Sequence, residues 1–163
     1  GHMNDTSRKH MNEEQVVIFE LAGNSYAIDI AAVREIIRPQ PVTPVPHAPF
    51  AVRGVINLRS AIVPVVDLRQ RCGLPSAEET PATRIVVVQD AQQGVGLVVD
   101  AVSEVTTIAT DAIEPVAGVV RGAEAQRLLR GVARLDDRLV LLLDLARVIA
   151  LDEVADLAAI AVA

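Results

Sequence analysis

The sequence predicts a mainly β protein built from two small barrels that pack against each other. Short segments with strand periodicity recur at regular spacing along the chain. The composition is 51% hydrophobic but only 2% aromatic, so aliphatic and often β-branched side chains supply the core, and these favour strands. Residues 54–68 also align without a gap with residues 131–145, and Gly, Val, Leu, Val, Asp and Leu recur in register. Closing each copy into a barrel would remove exposed sheet edges.

The N-terminal region is predicted to be a lead-in followed by a hairpin. Residues 1–14 are polar and lack periodicity, and the first three are typical of a cloning scar, so we expect disorder there. Residues 15–21 form a strand that is apolar on both faces. The turn residues 22–25 then lead into a second strand at residues 26–28.

A helix and a proline-rich segment are predicted next. Asp29 is placed to cap a short helix over residues 30–36, in which apolar side chains recur at helical spacing. Prolines then exclude a helix and favour an edge strand or an extended loop. They are Pro39, Pro41, Pro44, Pro46 and Pro49.

The repeated segments predict the same local structure twice. Residues 54–68 form two strands around a tight polar turn and end in a helix capped by Asp67. In the second copy, the strands at residues 128–135 and 138–143 meet across Asp136-Asp137, and Asp144 caps a helix over residues 145–150. A further similarity links residues 32–36 with residues 101–105.

The interval between the repeats, and the chain end, complete the organisation. Strands are predicted at residues 84–89, 95–99 and 102–108, whereas residues 111–126 show the weakest pattern. A helix over residues 151–159 has one apolar face, and we expect that face to pack on the first half.

Composition argues against membrane and nucleic-acid functions. No apolar stretch reaches the roughly 18 residues that a membrane helix needs, so we expect a cytoplasmic protein without membrane insertion. The formal net charge is −6 and only Phe19, Tyr26 and Phe50 are aromatic. Because binding of single strands usually needs a basic face and stacking aromatics, a nucleic-acid-binding barrel is only a remote alternative.

Residues suited to catalysis or metal binding are few. Outside the cloning scar, His10 lies in the lead-in and His47 in the proline-rich loop, and the lone Cys72 forms neither a disulfide nor a cysteine cage. Gly94-Val95-Gly96 lacks the third glycine of a dinucleotide loop, and Asp136-Asp137 fits a hairpin turn. We therefore expect no catalysis, no cofactor and no metal.

Two segments of the chain resemble the CheW family. They are Arg53-Gly54-Val55-Ile56-Asn57-Leu58-Arg59 and Ile62-Val63-Pro64-Val65-Val66-Asp67-Leu68-Arg69. Tyr26-Ala27-Ile28-Asp29-Ile30, Val33-Arg34-Glu35-Ile36 and Gly96-Leu97-Val98-Val99-Asp100 agree with the same family. The resemblance covers roughly residues 15–154. At one position the chain departs from the family pattern, because Ser60 stands where the family usually has Gly, and Ser tolerates a positive φ less freely.

The resemblance implies a specific architecture of two five-stranded β-barrel subdomains packed together. Subdomain 1 would span about residues 15–82 plus 144–163, and subdomain 2 about residues 83–143. The C-terminal helix would return to the first barrel, and the tail, residues 155–163, would be helical.

The resemblance also implies a function. Members of the family are non-catalytic scaffolds that couple methyl-accepting chemoreceptors to the histidine kinase CheA in bacterial chemotaxis. The expected partners are therefore the regulatory domain of CheA and the cytoplasmic tip of the receptors, with recruitment to membrane-associated receptor arrays. We expect neither kinase segments nor a receiver domain in 163 residues. An adaptor of another chemosensory-like pathway, such as type IV pilus motility, stays open.

The family match also suggests a receptor-binding groove and its residues. They are Val33, Glu35, Asn57, Leu58 and Arg59. Glu35, projecting from the predicted helix, is expected to form a charge pair with Arg59. No kinase-binding residue is assigned. The chain is locally basic at Arg53, Arg59, Arg69 and Arg71. Those arginines are either scattered solvated surface or a binding patch.

Overall fold

Eleven strands form two sheets in the computed structural model, which describes residues 12–89, 93–118 and 123–150. The strands are β1 (Glu13–Leu21), β2 (Asn24–Asp29), β3 (Val33–Ile37), β4 (Val52–Leu58), β5 (Ala61–Asp67), β6 (Arg84–Gln89), β7 (Gly94–Val99), β8 (Ala101–Ala109), β9 (Ile113–Glu114), β10 (Leu129–Leu135) and β11 (Arg138–Leu143). The helices are α1 (Leu68–Arg71), α2 (Ala123–Leu128) and α3 (Leu145–Ile149). The predicted mainly β fold is confirmed.

The two sheets contain six and five strands. The first sheet has the order β8-β1-β2-β11-β10-β9, and the second has the order β3-β6-β7-β5-β4. In the described residues, backbone hydrogen bonds do not close either sheet, because β8 and β9 are the edges of the first and β3 and β4 the edges of the second. An ion pair between Glu35 of β3 and Arg59, in the turn after β4, connects the two edge strands of the second sheet.

The boundary between the sheets differs from the predicted division near residue 83. β1 and β2 pair with β8 and β11, so the first sheet combines β1 and β2 with β8 to β11, and the second sheet comprises β3 to β7. A sequence repeat locates the two copies. It does not determine which hairpin joins which copy, because that choice depends on contacts between strands far apart in the chain.

The internal repeat is nevertheless a repeat in three dimensions. Apart from β9, both sheets have the same order and directions, with β3, β6, β7, β5 and β4 matching β8, β1, β2, β11 and β10. The register also agrees. Glu35 lies opposite Val87 on β6, and Glu104 lies opposite Ile18 on β1, which is the strand that matches β6. Glu35 and Glu104 are therefore equivalent residues.

The predicted helix over residues 30–36 is wrong. Only Ile30–Ala32 form a helical segment, a single 3₁₀ turn. The amide of Ala31 donates a hydrogen bond to the Asp29 carboxylate at 2.8 Å. The chain then continues as β3, which pairs with β6. The β-branched residues Val33, Ile36 and Ile37 lose little by being in a strand, and pairing outweighs the helical spacing. At the N-terminus, β1 begins two residues earlier than predicted.

The predicted caps at Asp67 and Asp144 are confirmed. The Asp67 carboxylate accepts a hydrogen bond from Gln70 N at the start of α1, and that of Asp144 accepts one from Arg147 N at the start of α3. Within the described parts of the chain, no helix has the length and apolarity needed to span a membrane. The predicted helix over residues 151–159 lies outside the described residues.

One apolar core is shared by the two sheets, and each sheet also has a smaller one. The shared core includes Phe19 and Ile28 from the first sheet and Val88 and Leu97 from the second. A separate cluster around Ile18 lies in the first sheet, and another around Ile56, Val63 and Val65 lies in the second. The sheets therefore pack through non-directional aliphatic contacts.

Candidate functional site

Glu35 and Arg59 form the predicted ion pair. Arg59 Nη1 donates to Glu35 Oε2 at 2.8 Å, and the side chains are 77% and 20% exposed respectively. One detail differs from expectation, because Glu35 projects from β3 and not from a helix. The carboxylate is sheltered and the guanidinium points to solvent, so a partner can reach the arginine.

The turn between β4 and β5 holds Arg59 in an unusual backbone conformation. Arg59 has φ 51° and Ser60 has φ 70°, so both central residues of the two-residue turn are left-handed. This confirms that the position of Ser60 requires a positive φ, which residues other than glycine adopt at a cost. The hairpin register fixes the turn, since Leu58 lies opposite Ala61. Arg59 is therefore presented from a rigid position.

The other predicted groove residues are placed differently from one another. Asn57 is exposed at the end of β4, beside Arg59. Leu58 packs against the small core of the second sheet, and Val33 packs against the shared core. Ile36, which the sequence did not single out, is 38% exposed next to Glu35. Because adjacent side chains of a strand point to opposite faces, Ile36 lies on the other face of β3 from Glu35.

A second ion pair occupies the matching place in the first sheet, and the sequence analysis missed it. Arg138 Nη2 donates to Glu104 Oε1 at 2.7 Å. Glu104 could have been found from the similarity of residues 101–105 to residues 32–36. Arg138 could not, because it aligns with Ala61 and not with Arg59. Val105 and Leu139, the residues that follow the paired ones, are 52% and 41% exposed.

The locally basic stretch separates into individual contacts in the folded protein. Arg53 pairs with Asp67 at 2.9 Å, and Arg69 pairs with Asp100 at 2.6 Å. Arg71 donates to two backbone carbonyls of α3. Together with Arg59, these arginines each have a separate partner within the protein.

Asp67 is a buried carboxylate with several donors. Burial alone would raise its pKa, but hydrogen bonds from Ser76 and Arg53 and from the Gln70 amide outweigh burial and hold the pKa below the ordinary value. The side chain is 2% exposed. Asp67 therefore remains charged and connects β4, α1 and the loop that follows α1.

Asp100 receives a second set of donors at the point where the chain passes between the sheets. Both nitrogens of the Arg69 fork contact its carboxylate, Nε at 2.8 Å and Nη2 at 2.6 Å. Ala22 N donates to the same carboxylate at 2.8 Å. The Arg69 hydrogen bonds, opposed by burial, hold the pKa of Asp100 below its ordinary value. This pair was not predicted, although both residues belong to the segments that resemble the CheW family.

Groups for catalysis or metal binding do not converge in the described residues. His47 is exposed in the proline-rich loop, and no group of three His, Cys, Asp or Glu side chains there could hold a metal ion. Cys72 contributes to an apolar cavity of about 180 Å³ between the first sheet and the segment that follows α1. Burial raises the pKa of its thiol to about 11. The cavity is lined by Tyr26, Cys72, Leu74, Leu128, Leu129, Leu141 and Leu143.

Comparison with known proteins gives a consistent result over most of the chain. A family model described as CheW-like domain matches residues 15–153. The chain is 37% identical over 147 residues to the "Chemotaxis protein CheW" of Rhizobium meliloti (strain 1021), covering 89% of this chain and 94% of that protein. It is 33% identical over 142 residues to the "Chemotaxis protein CheW" of Klebsiella aerogenes, covering 87% and 85%.

The fold is also similar to a solved structure. The scaffolding protein TtCheW from Thermoanaerobacter tengcongensis superimposes with a TM-score of 0.77 at 32% sequence identity. The match covers 86% of this chain and 94% of that one.

Proposed function

Since the chain belongs to the family of CheW-like domains, we propose that it is a non-catalytic scaffold of bacterial chemotaxis. It couples methyl-accepting chemoreceptors to the histidine kinase CheA. Similarity along almost the whole length of proteins named for this role supports the proposal, as does the likeness to a scaffolding protein of known structure. The protein acts in the cytoplasm and is recruited to membrane-associated receptor arrays.

The observation that carries the proposal is the Glu35–Arg59 pair on a rigid turn. One of the two segments that resemble the family ends at Arg59, which is exposed while its partner Glu35 is sheltered. A guanidinium on a tight turn, held on one side by Glu35 and exposed on the other, offers a directional charge to a receptor tip. We place the receptor-binding groove here, with Asn57 beside it and with Val33 and Leu58 supporting it from below.

The second partner is the regulatory domain of CheA. We expect micromolar affinity, as is usual for transient interfaces of modest size. Titration calorimetry with the isolated domain, and separately with a soluble receptor-tip fragment, measures each interaction alone. Failure to bind either partner at tens of micromolar would contradict the proposal.

A reconstituted kinase assay tests the coupling itself. With receptor tips, CheA and this protein present together, autophosphorylation of CheA should rise above the level measured without the scaffold. Arg59→Ala should remove most of that rise, and Arg134→Ala, which breaks an exposed ion pair within the first sheet, is the matched control. Calorimetry with ATP should show no binding to the scaffold, and tight ATP binding would overturn the non-catalytic assignment.

A further inference from the structure

Asp100 ties the crossing between the sheets to a turn of the first sheet. It is the single residue between β7 of the second sheet and β8 of the first. Its amide donates to Glu20 O at 3.0 Å, and its carboxylate accepts from Ala22 N at 2.8 Å. Ala22 lies in the β1–β2 turn with φ 51°. The carboxylate therefore points at the backbone of the first sheet.

Arg69 holds the same carboxylate from the second sheet. It lies in α1, which directly follows β5, and its Nε and Nη2 form two parallel hydrogen bonds to Asp100. The two side chains are only 21% and 30% exposed. The ion pairs at Arg59, Arg134 and Arg138 each lie within one sheet, whereas this pair spans the boundary. A bidentate guanidinium fixes an angle as well as a distance.

The internal repeat indicates that this contact is specialised. The Asp caps and the following leucines are the same in both copies, Asp67-Leu68 and Asp144-Leu145, so they serve the local fold. Arg69, in contrast, aligns with Ala146. Only the helix of the second sheet carries an arginine there, so the contact is not a general requirement of the repeated unit.

Arg71, which also lies in α1, makes a second connection from this helix to the first-sheet side. Arg71 Nε donates to Val148 O at 2.9 Å, and its Nη2 donates to Arg147 O at 3.0 Å. Arg71 aligns with Val148, which again lacks a guanidinium. The short helix α1 thus contacts the first-sheet side at two points.

We propose that Arg69 and Asp100 are positioning residues that fix the angle between the two sheets and so the relative placement of partners bound to the scaffold. The shared aliphatic core holds the sheets together through contacts that individually have no direction. The two parallel hydrogen bonds between the Arg69 guanidinium and the Asp100 carboxylate add a directional constraint on the angle between the sheets. The part of this inference that concerns partners rests on the proposed function, whereas the part that concerns the sheets does not.

Distance measurements test the positioning role without any partner. Spin labels at Ala61→Cys in the second sheet and Thr107→Cys in the first, in a Cys72→Ala background, sit at exposed positions. The distance distribution should widen in Arg69→Gln and in Asp100→Asn. It should widen less in Arg69→Lys, which keeps the charge and loses the fork, and Arg134→Gln should leave it unchanged. An unchanged distribution in all the Arg69 and Asp100 variants overturns the proposal.

The reconstituted kinase assay tests the link to coupling. Arg69→Gln should bind the receptor tip and the kinase domain separately with unaltered affinity, yet kinase activation should fall by about fivefold or more, as expected when coupling between two sites is lost. Arg69→Lys should recover part of the kinase activation. Normal activation despite a widened distribution overturns the role in coupling. If the unaltered protein binds neither partner, the proposed function fails while the distance result still decides the positioning role.

Discussion

The carboxylate of Glu35 and the guanidinium of Arg59, 2.8 Å apart, join the two ends of the second sheet. Glu35 lies on β3, which is one edge of that sheet, and Arg59 lies in the turn after β4, which is the other edge. The Glu104–Arg138 pair similarly links the edge strand β8 to the start of β11 in the first sheet. The Glu104–Arg138 pair can therefore serve as an internal control, which separates the contribution of such a pair to stability from a role in receptor binding.

We predict that Arg59→Ala weakens receptor binding and kinase activation but lowers the free energy of unfolding by less than about 1 kcal/mol, because exposed ion pairs contribute little. Urea unfolding followed by circular dichroism measures the stability, and calorimetry with receptor tips measures the binding. Arg138→Ala is the matched control. It should cause a similarly small loss of stability and leave receptor binding unchanged. Equal receptor affinity of Arg59→Ala and the unaltered protein would refute the site.

The double charge swap Glu35→Arg with Arg59→Glu separates pairing from direct contact. If the pair acts by shaping the surface, the swap restores the attraction and much of the binding lost in the single variants. If Arg59 itself contacts the receptor, the swap folds normally but does not bind. Thermal unfolding of the swap confirms that its fold is intact.

The sequence predicted local structure more successfully than long-range pairing. The caps at Asp67 and Asp144 and the turns at Arg59 and Asp136 follow from a few neighbouring residues, and they were predicted correctly. The segment after Asp29 was assigned to a helix because its spacing suits one, whereas β-branched side chains and pairing with β6 make it a strand. The Arg69–Asp100 contact joins residues 31 positions apart, and nothing local predicts it.

Gly54 is predicted to be far less tolerant of substitution than its repeat partner Gly131. Its φ is +145°, and a Cβ there would collide with the carbonyl oxygen of Thr43, to which the Gly54–Val55 segment is bridged. At Gly131 the backbone φ is not in the left-handed region, and the nearest obstacle is a methyl group of the Ile113 side chain, so the strain comes from one side chain that must shift and not from the backbone. Gly54→Ala should therefore cost roughly 3 kcal/mol or more, and Gly131→Ala clearly less, in urea unfolding. Equal losses would contradict this account.

Cys72 is predicted to react slowly with alkylating agents in the folded protein. The thiolate is the reactive form, and burial raises the pKa of this thiol to about 11. Iodoacetamide should modify it far more slowly at pH 8 than in the same protein unfolded in urea. Rapid modification of the native protein at neutral pH would show that the thiol is not buried as described.

The raised pKa of Cys72 also predicts a loss of stability in alkali. Between about pH 9 and pH 11 the folded state keeps a proton that the unfolded state has released, so the free energy of unfolding falls as the pH rises. Tyr26, whose pKa is raised by burial and by Cys72, acts in the same direction at higher pH. Cys72→Ala should flatten the decline between pH 9 and pH 11, as measured by urea unfolding at fixed ionic strength.

The two aspartate caps should differ sharply in their contribution to stability, although they occupy the same position in the repeat. Asp144 caps α3 and pairs with the exposed Arg147, so Asp144→Ala should cost about 1 kcal/mol, which is usual for a lost cap. Asp67 is buried and also holds Arg53 and Ser76, so Asp67→Ala should cost about 3 kcal/mol, because it leaves several donors without an acceptor.

Because the pKa of Asp67 is lowered in the fold, the stability that its charge contributes is present above the unfolded pKa of about 3.9 and is lost as the pH falls through the folded value. Asp67→Asn should therefore be less stable than the unaltered protein at pH 7, and the difference should shrink below pH 4. A difference that stays constant down to pH 2, measured by urea unfolding, would mean that the charge of Asp67 does not stabilise the fold.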